Sequence, residues 1–379
     1  MPRLRFPGFE GEWEEQCLET FMYSRDERQI PSPDAPLMAF IAKLGVAPKG
    51  ERYDREYLVK SKDKEYKRTE FNDFIYSSNN LDVGSIGLNK YGRAVISDVY
   101  EIFTMKDGYA PEFISELVQR PRNLHKVLRF RQGCLYGQYR IYASDFLSVK
   151  LLAPDNEEQF KIAGFLQQID TRITAQRRLV ELLKKHKRGL LRYVFEENIE
   201  GDYYSFSEIA SRRNEKITPT KDSRLDCIEL ENIEQETGML LGSVPLSGQN
   251  SLKNLCKPSD IVFGKLRPYL RKFVFAENEC AVSSETWVLV AAKGIYPKFL
   301  FYLIQSEPFM RAASVSSGTK MPRSEWSNVA NAKFYVPDRT QQETIAACFS
   351  EIDRRILTSQ RILTAAQAYK RGLLQQLFV

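Results

Sequence analysis

Residues 154–195 read PDNEEQFKIAGFLQQIDTRITAQRRLVELLKKHKRGLLRYVF, and residues 337–378 read PDRTQQETIAACFSEIDRRILTSQRILTAAQAYKRGLLQQLF. They align without a gap at an offset of 183, with 16 identities in 42 positions. Identical pairs include Gln159/Gln342, Ile169-Asp170/Ile352-Asp353, Arg172-Ile173/Arg355-Ile356 and the run Lys187 to Leu191/Lys370 to Leu374. A repeat of this kind frames every later reading of the chain. Each copy starts as a helix should: Asp155 and Asp338 can cap, and Glu158 and Gln341 three residues on can complete a capping box. A seam with steps of four and three then runs through Ile169, Ile173, Gln176, Val180, Leu183, Lys187, Leu190 and Val194. The second copy gives Ile352, Ile356, Ser359, Leu363, Ala366, Lys370, Leu373 and Leu377. This is the 3.5-residue period of a coiled coil.

Polar residues interrupt both seams at Gln176/Ser359 and Lys187/Lys370. Such positions either fix register and partner or let a long stem carry its charge to water. Gly189 and Gly372 each cost roughly 1 kcal/mol inside a helix, so a bend or a frayed end is open there. A helix of about 40 residues is a rod of roughly 60 Å. It cannot bury its seam on its own domain, so the two are expected to pair with each other, in an orientation that heptads leave undecided. Phe165, Leu166, Leu179, Leu182, Phe349, Ile362 and Ala365 are expected to remain for another protein.

The repeat continues upstream more faintly. Asp73-Phe74-Ile75-Tyr76 matches Asp260-Ile261-Val262-Phe263, Ala94 to Tyr100 matches Ala281 to Trp287, and Pro111-Glu112-Phe113 matches Pro297-Lys298-Phe299. The chain of 379 residues therefore reads as two copies of one unit. Residues 1–153 and 198–336 form globular domains, while 154–197 and 337–379 form the helices. The globular parts are mixed: 260–266, 272–276 and 285–290 read as strands, and Pro297 to Met310 and Pro111 to Gln119 have helical spacing. The fold class is α+β, with two tandem pseudo-repeated domains and a pair of long coiled-coil helices.

Between these elements lie basic, aromatic and amide-rich loops. They are Gly264 to Lys272 (GKLRPYLRK), Ser316 to Trp326, Lys60 to Arg68, Ser77 to Asn80 and Arg129 to Arg140. Arg, Lys, Asn and Gln can read base edges, whereas Ser, Thr and backbone N–H groups hold phosphates. A single cluster of this type is most often a solvated loop; recurrence in both copies beside strand ends favours DNA. The assigned contacts are Lys265, Arg267, Tyr269, Arg271, Ser317, Thr319, Lys320 and Arg323 in the second domain. In the first they are Ser78, Asn79, Arg131, Gln138 and Arg140. Net charge is +6, and the two helical repeats hold all of that excess, with 15 basic and nine acidic residues. Local clusters, not overall charge, therefore carry the nucleic-acid reading.

Enzyme motifs are missing from the sequence: no G-x-x-x-x-G-K-[ST] loop, no H-E-x-x-H and no G-x-S-x-G elbow. Asp155, Glu157, Glu158 and Lys161 imitate a nuclease cluster, but their spacing suits helix capping better. The six cysteines are scattered without a C-x-x-C pair, which fits free thiols in a reducing cytosol. His125 and His186 are too few to build a zinc site and read as surface residues. No stretch approaches a membrane span, and Met1 to Phe6 is not followed by the apolar core of a secretory leader, so a cytoplasmic location is expected.

The two copies of P-D-x-x-x-Q…I-A…I-D-x-R-I…K-R-G-L-L…F resemble the conserved regions of type I restriction-modification specificity subunits. Phe6-Pro7-Gly8-Phe9 with Glu12-Trp13 resembles the start of many members. Asp260 to Lys272 and Ser316 to Pro322 resemble a common target-recognition domain. The first recognition domain departs most, with Leu135-Tyr136-Gly137 in place of a Ser-Ser-Gly-Thr loop. The resemblance implies antiparallel helices that separate two DNA readers and set their spacing on a split double-stranded target. It also implies two DNA methyltransferase subunits as partners, with restriction-translocase subunits joining them. S-adenosylmethionine, ATP and magnesium would sit on those partners, and this chain would carry no cofactor and no catalytic site. The alternatives are a coiled-coil scaffold that does not bind DNA and a stand-alone DNA-modifying enzyme.

Overall fold

The computed structural model describes residues 2–42, 45–48, 64–77, 79, 81, 84–135, 138–197, 201–315 and 321–378. Contacts divide the chain into two compact units. Unit 1 is Met1–Ala175 with Thr364–Val379, and unit 2 is Gln176–Leu363. The division cuts through both long helices, α1 (Asn156–Arg192) and α2 (Arg339–Leu377). Each globular part is thus completed by the terminal stretch of the helix that starts in the other repeat.

Both units contain the same four-stranded antiparallel sheet. In unit 1 the order is Met22–Ser24, Tyr100–Met105, Phe74–Ser77, Ile86–Leu88. In unit 2 it is Ala210–Arg212, Thr286–Ala291, Ile261–Gly264, Phe273–Phe275. The strand after Asp73 and the one after Asp260 are central and fully buried. Each of those carboxylates receives the backbone N–H three residues before it, from Glu70 or Lys257, and pairs with an arginine, Arg25 or Arg213. A second sheet has three strands in unit 1 and five in unit 2. A two-stranded ribbon, Glu14–Cys17 with Lys150–Ala153 or Asp202–Ser205 with Lys333–Val336, leads into each long helix.

The helix starts follow one design. Asp155 Oδ1 accepts the Glu158 N–H at 2.8 Å, and Asp338 Oδ1 accepts the Gln341 N–H at 2.9 Å. Gln159 and Gln342 each donate to the carbonyl of the proline five residues back, at 3.0 and 2.9 Å. The capping box is half of what the sequence suggests. Glu158 is buried and holds Arg5 with both carboxylate oxygens, at 2.7 and 2.6 Å, so it serves the N-terminal segment instead of its own helix cap.

The helices run antiparallel where they meet, and this is visible inside each unit. In unit 2, Gln176 Nε2 donates to the Ser359 carbonyl at 2.9 Å and Lys187 Nζ lies 2.7 Å from Asp353. In unit 1, Lys370 Nζ lies 2.8 Å from Asp170. Lys187/Lys370 and Asp170/Asp353 are repeat equivalents, so the same cross-helix ion pair forms once per unit. The helix ends are anchored by equivalent aromatics: Phe195 packs on Phe299 and Phe349, and Phe378 packs on Phe113 and Trp13.

Three expectations need correction. Near the end of α1 the buried residues are the expected Lys187 with Leu191 and Phe195, while Leu183, Leu190 and Val194 are only partly buried; α2 buries the expected Leu373 and Leu377 and adds Leu374 and Phe378. A helix of 3.6 residues per turn drifts about 20° per heptad against a 3.5 repeat, which moves the buried stripe over by one position at the end of α1 and widens it at the end of α2. Gly189 and Gly372 neither stop nor fray a helix, since α1 runs to Arg192 with a π-helical turn at Tyr193–Glu197, and α2 runs to Leu377. Pro297 to Met310 is two helices, Pro297–Leu303 and Glu307–Ser314, because Pro308 has no N–H to continue the first.

Candidate nucleic-acid interface

In unit 2 the Gly264 to Lys272 loop folds around a single 3-10 turn, Pro268–Leu270. Arg267 (φ 52°) and Arg271 (φ 48°) flank it in the left-handed region. That conformation costs a non-glycine residue roughly 1–2 kcal/mol and persists only where surroundings impose it. Here they do. The Arg267 N–H donates to the Pro322 carbonyl at 2.8 Å, the Glu236 N–H donates to the Arg271 carbonyl at 3.0 Å, and Pro268 is buried. Lys265 and Ser324 are tied by a backbone hydrogen bond of 2.8 Å, so the two basic loops found in the sequence form one structure. The turn presents Arg267 and Tyr269 outward, Tyr269 being 60% exposed.

Two other cations of this cluster, Arg271 and Arg323, have partners. Arg271 is held by Glu307 and by the Gln305 carbonyl. Arg323 pairs with Glu285 at 3.0 Å, and hydrogen bonding to Arg323 holds the Glu285 carboxyl below its ordinary range. Arg271 and Arg323 therefore brace the turn, whereas Arg267 and Tyr269 project from it. Neither Glu285 nor Glu307 was recognised from sequence; Glu285 opens the strand segment read at 285–290 and could have been noticed there. Ser317, Thr319 and Lys320 lie outside the described residues.

In unit 1 two of the five assigned residues border an open groove of about 830 Å³. Asn79 and Arg140 line it, along with Arg28, Lys67, Asp98, Glu101 and Tyr139. Asn79 Oδ1 is buried with no hydrogen-bond donor among the described residues. Arg140 lies over the Tyr142 ring and 4.0 Å from Glu101, and Arg131 lies over the Tyr139 ring. Arg28 and Lys67 pair with Asp98 and Glu101 at 2.9 Å. The groove thus offers acceptors as well as donors, as base edges require and phosphate alone does not. Lys67 belongs to the Lys60 to Arg68 cluster read from the sequence; Arg28 and Glu101 were not singled out, because they come from strands of two sheets that only the fold brings together. Ser78 and residues 60–63 lie outside the described residues. Gln138 is in the strand Gln138–Arg140.

The expected protein-docking positions divide. Leu179, Leu182 and Ile362 are exposed on the helices. Phe165 is half-buried against the Phe6 ring. Leu166 and Phe349, which are repeat equivalents, are 3% and 1% exposed, so they serve the chain's own cores and are withdrawn as docking residues. Each occupies the inner face of its helix near the start, where the globular part already covers it.

Two tandem α+β domains, each finished by the helix of the other, are the fold of a type I restriction-modification specificity subunit. A solved structure of the S subunit from M. genitalium superposes with a TM-score of 0.61 at 13% identity, covering 100% of this chain and 99% of that one. A chain from a structural study of complex assembly and conformational transition in the type I R-M system gives a TM-score of 0.53 at 14% identity, covering 97% of each. In sequence, the chain is similar to the type I restriction enzyme MjaVIII specificity subunit of Methanocaldococcus jannaschii, 23% identical over 69% of this chain and 71% of that protein. It is also similar to the HindI specificity subunit of Haemophilus influenzae, 27% identical over 34% and 29% of the two chains. No family model matches the chain.

Proposed function

We propose that this chain is the DNA-specificity subunit of a type I restriction-modification complex and reads a bipartite duplex target, one half with each globular part. The observation that carries this reading is the duplicated fold in which each recognition-type domain, with its own diverged polar loops, is closed by the helix of the other repeat. Divergence of the loops over a repeated framework suits two different half-sites. Arg267 and Tyr269 would reach into the second half-site, and the Asn79–Arg140 groove would serve the first. In this reading the helices set the gap between half-sites and dock two methyltransferase subunits, which restriction-translocase subunits then join. The chain itself is non-catalytic and carries no cofactor; S-adenosylmethionine, ATP and magnesium belong to the partners. The setting is the cytoplasm; among the described residues no helix is long and apolar enough to cross a membrane.

The test is selection from a random duplex library by the chain assembled with its methyltransferase. A split motif with a gap of set length is expected. Enrichment of no motif would leave a protein scaffold as the function. Inserting residues between Ile173 and Leu183 should change the tolerated gap; an unchanged gap would remove the helices from the reading. Arg267→Ala should weaken binding by about 1–3 kcal/mol and relax one position of the motif if the guanidinium meets a base. Uniform weakening across sequences would assign it to phosphate.

A further inference from the structure

Unit 2 carries a pair of thiols that the reading surface does not use. Cys256 and Cys280 stand opposite each other where the strand Lys253–Cys256 runs antiparallel to Cys280–Val282. Directly opposed residues of such strands hold their Cα atoms about 4.5 or 5.5 Å apart. Either spacing falls within the roughly 4.4–6.8 Å that a disulfide spans. Both side chains belong to the buried cluster that packs on Val262, Val274 and Val288 of the four-stranded sheet. Cys227 is on the next strand but pairs with Ala281, and neighbours along a strand face opposite ways, so it joins Ala281 and Leu246 on the other side. The repeat sets Thr69 and Arg93 at the places of Cys256 and Cys280, and unit 1 still pairs Tyr66–Thr69 with Ala94–Ile96. The framework therefore forms without sulfur at these positions.

The two thiols are not equivalent. Cys256 is fully buried, whereas Cys280 borders an open groove of about 620 Å³ between residues 277–279 and Leu240 and Leu241. The Cys256 S–H donates to the Cys280 sulfur. That hydrogen bond holds the Cys280 thiol below its ordinary value, against burial and the charges of Asp226, Asp260 and Glu279, and pushes the Cys256 thiol up. A small oxidant entering the groove meets Cys280 first, and Cys256 lies behind it.

We propose that Cys280 and Cys256 are an oxidation site for hydrogen peroxide, with Cys280 attacking, Cys256 resolving, and the disulfide they form displacing the reading turn of unit 2. The Cys280 thiolate attacks one peroxide oxygen and the O–O bond breaks. Hydroxide leaves and takes up the proton the thiol had released, and Cys280 becomes a sulfenic acid. The Cys256 thiol then gives up its proton, its sulfur bonds to the Cys280 sulfur, and the S–O bond breaks with loss of water. Two thiols lose two electrons and two protons, and peroxide is reduced to two waters. The route to the turn is short. Asn254, two residues before Cys256, donates to the Ser283 and Thr286 carbonyls at 3.3 and 3.1 Å. Between those carbonyls lies Glu285, which holds Arg323 and accepts the Lys265 N–H at 3.0 Å. Drawing the two sulfurs from contact to a covalent bond shifts the strands that carry these groups. The effect on DNA rests on the reading of the chain as a specificity subunit; the disulfide does not.

The experiment treats the reduced full chain with hydrogen peroxide, removes the excess, alkylates the remaining thiols and maps the peptides by mass spectrometry. The Cys256 and Cys280 peptides should be joined, lighter by two hydrogens than the reduced pair, and separated again by dithiothreitol. Cys256→Ala should stop at a sulfenic acid on Cys280, captured by a 1,3-dicarbonyl reagent; Cys280→Ala should give no adduct on Cys256. Alkylation of both cysteines in the peroxide-treated unaltered chain would overturn the proposal without recourse to a variant. The treated chain, assembled afterwards with its methyltransferase, should bind its split duplex about tenfold more weakly, the loss of one good base contact. Dithiothreitol should restore the affinity, and treated Cys280→Ala should keep it. A mapped disulfide with unchanged affinity would sever the pair from the turn and overturn that part of the proposal. If the reduced, unaltered chain binds no split duplex, the specificity-subunit reading fails, while the peptide map still decides the oxidation site.

Discussion

Lys187 and Lys370 hold the same position in the repeat, but their surroundings have diverged. Burial lowers the Lys187 pKa, and the single carboxylate of Asp353 offsets this only in part. The third group at that site is the Tyr302 phenol, which burial and the Asp353 charge push up, so it stays neutral while donating to Asp353 at 3.0 Å. Burial opposes the charge on Lys370 as well, but Glu116 and Asp170 together outweigh it and raise the pKa. The two lysines should therefore respond to pH with opposite sign. An unfolded lysine titrates near about 10.4. Where the folded value is lower, the unfolded chain binds more protons, and stability gained from Lys187 rises with pH up to that point. Where it is higher, the contribution of Lys370 is complete below that point and is lost as pH climbs through the raised folded value. Urea unfolding of Lys187→Met and Lys370→Met beside the unaltered chain, from neutral to strongly alkaline pH, should show the two differences moving apart; parallel curves would refute the assignment. Asp353→Ala leaves a buried ammonium unpaired and should cost about 3 kcal/mol, the low end for a broken buried pair because Asp353 keeps some water contact. Lys187→Met with Asp353→Leu should recover much of that loss. At this scale the sequence showed that the lysines interrupt a seam. It could not show what they meet, because Asp353, Tyr302, Asp170 and Glu116 each lie more than a hundred residues away. The same holds at the interface: the Arg267–Tyr269 turn was legible as a dense polar cluster, while its braces, Glu285 and Glu307, arrive from other strands and helices.

At the scale of elements, local chemistry determined much of what was legible. The helix starts were readable because capping depends on residues within one turn. Asp155→Ala and Asp338→Ala should each cost about 1 kcal/mol in urea unfolding, the usual loss of a cap; no loss at either would mean that the neighbouring proline and glutamine alone fix the start. The ends of the same helices were less legible, since the buried stripe is set by the accumulated drift of a nearly straight helix against its partner, and drift leaves no mark on a single heptad. The sheets were legible only as candidate strands. Most strands are three or four residues long, too short for an alternating pattern, and the partner of each comes from distant sequence, as when Phe74–Ser77 lies between Tyr100–Met105 and Ile86–Leu88. The repeat supplied what periodicity could not. A pattern faint in either copy, such as Asp73-Phe74-Ile75-Tyr76, became credible when Asp260-Ile261-Val262-Phe263 stood at the matching place.

At the scale of the whole molecule, the exchange of helix ends ties the stability of each unit to the far end of the other repeat. Unit 1 takes in Thr364–Val379, and this short segment supplies buried Leu373, Leu374, Leu377 and Phe378. Phe378 stacks on Phe113 with ring centres 5.2 Å apart and meets Trp13 edge-on, and the Leu4 N–H donates to the Gln376 carbonyl at 3.0 Å. Each fully buried aliphatic or aromatic side chain contributes about 1.5–3 kcal/mol, so the segment carries an amount comparable to the whole stability of a domain, about 5–15 kcal/mol. Truncating the chain after Leu363 should therefore unfold or loosen the N-terminal unit, more than 180 residues away in sequence, while leaving unit 2 folded with its own share of α2. Amide hydrogen exchange on the truncated chain would read this directly. Protection should fall across the Phe74–Ser77 and Tyr100–Met105 strands and persist across Ile261–Gly264 and Thr286–Ala291. Loss confined to residues near the cut would mean that unit 1 holds together without its borrowed helix, and that the exchange of helices shapes the molecule without stabilising it.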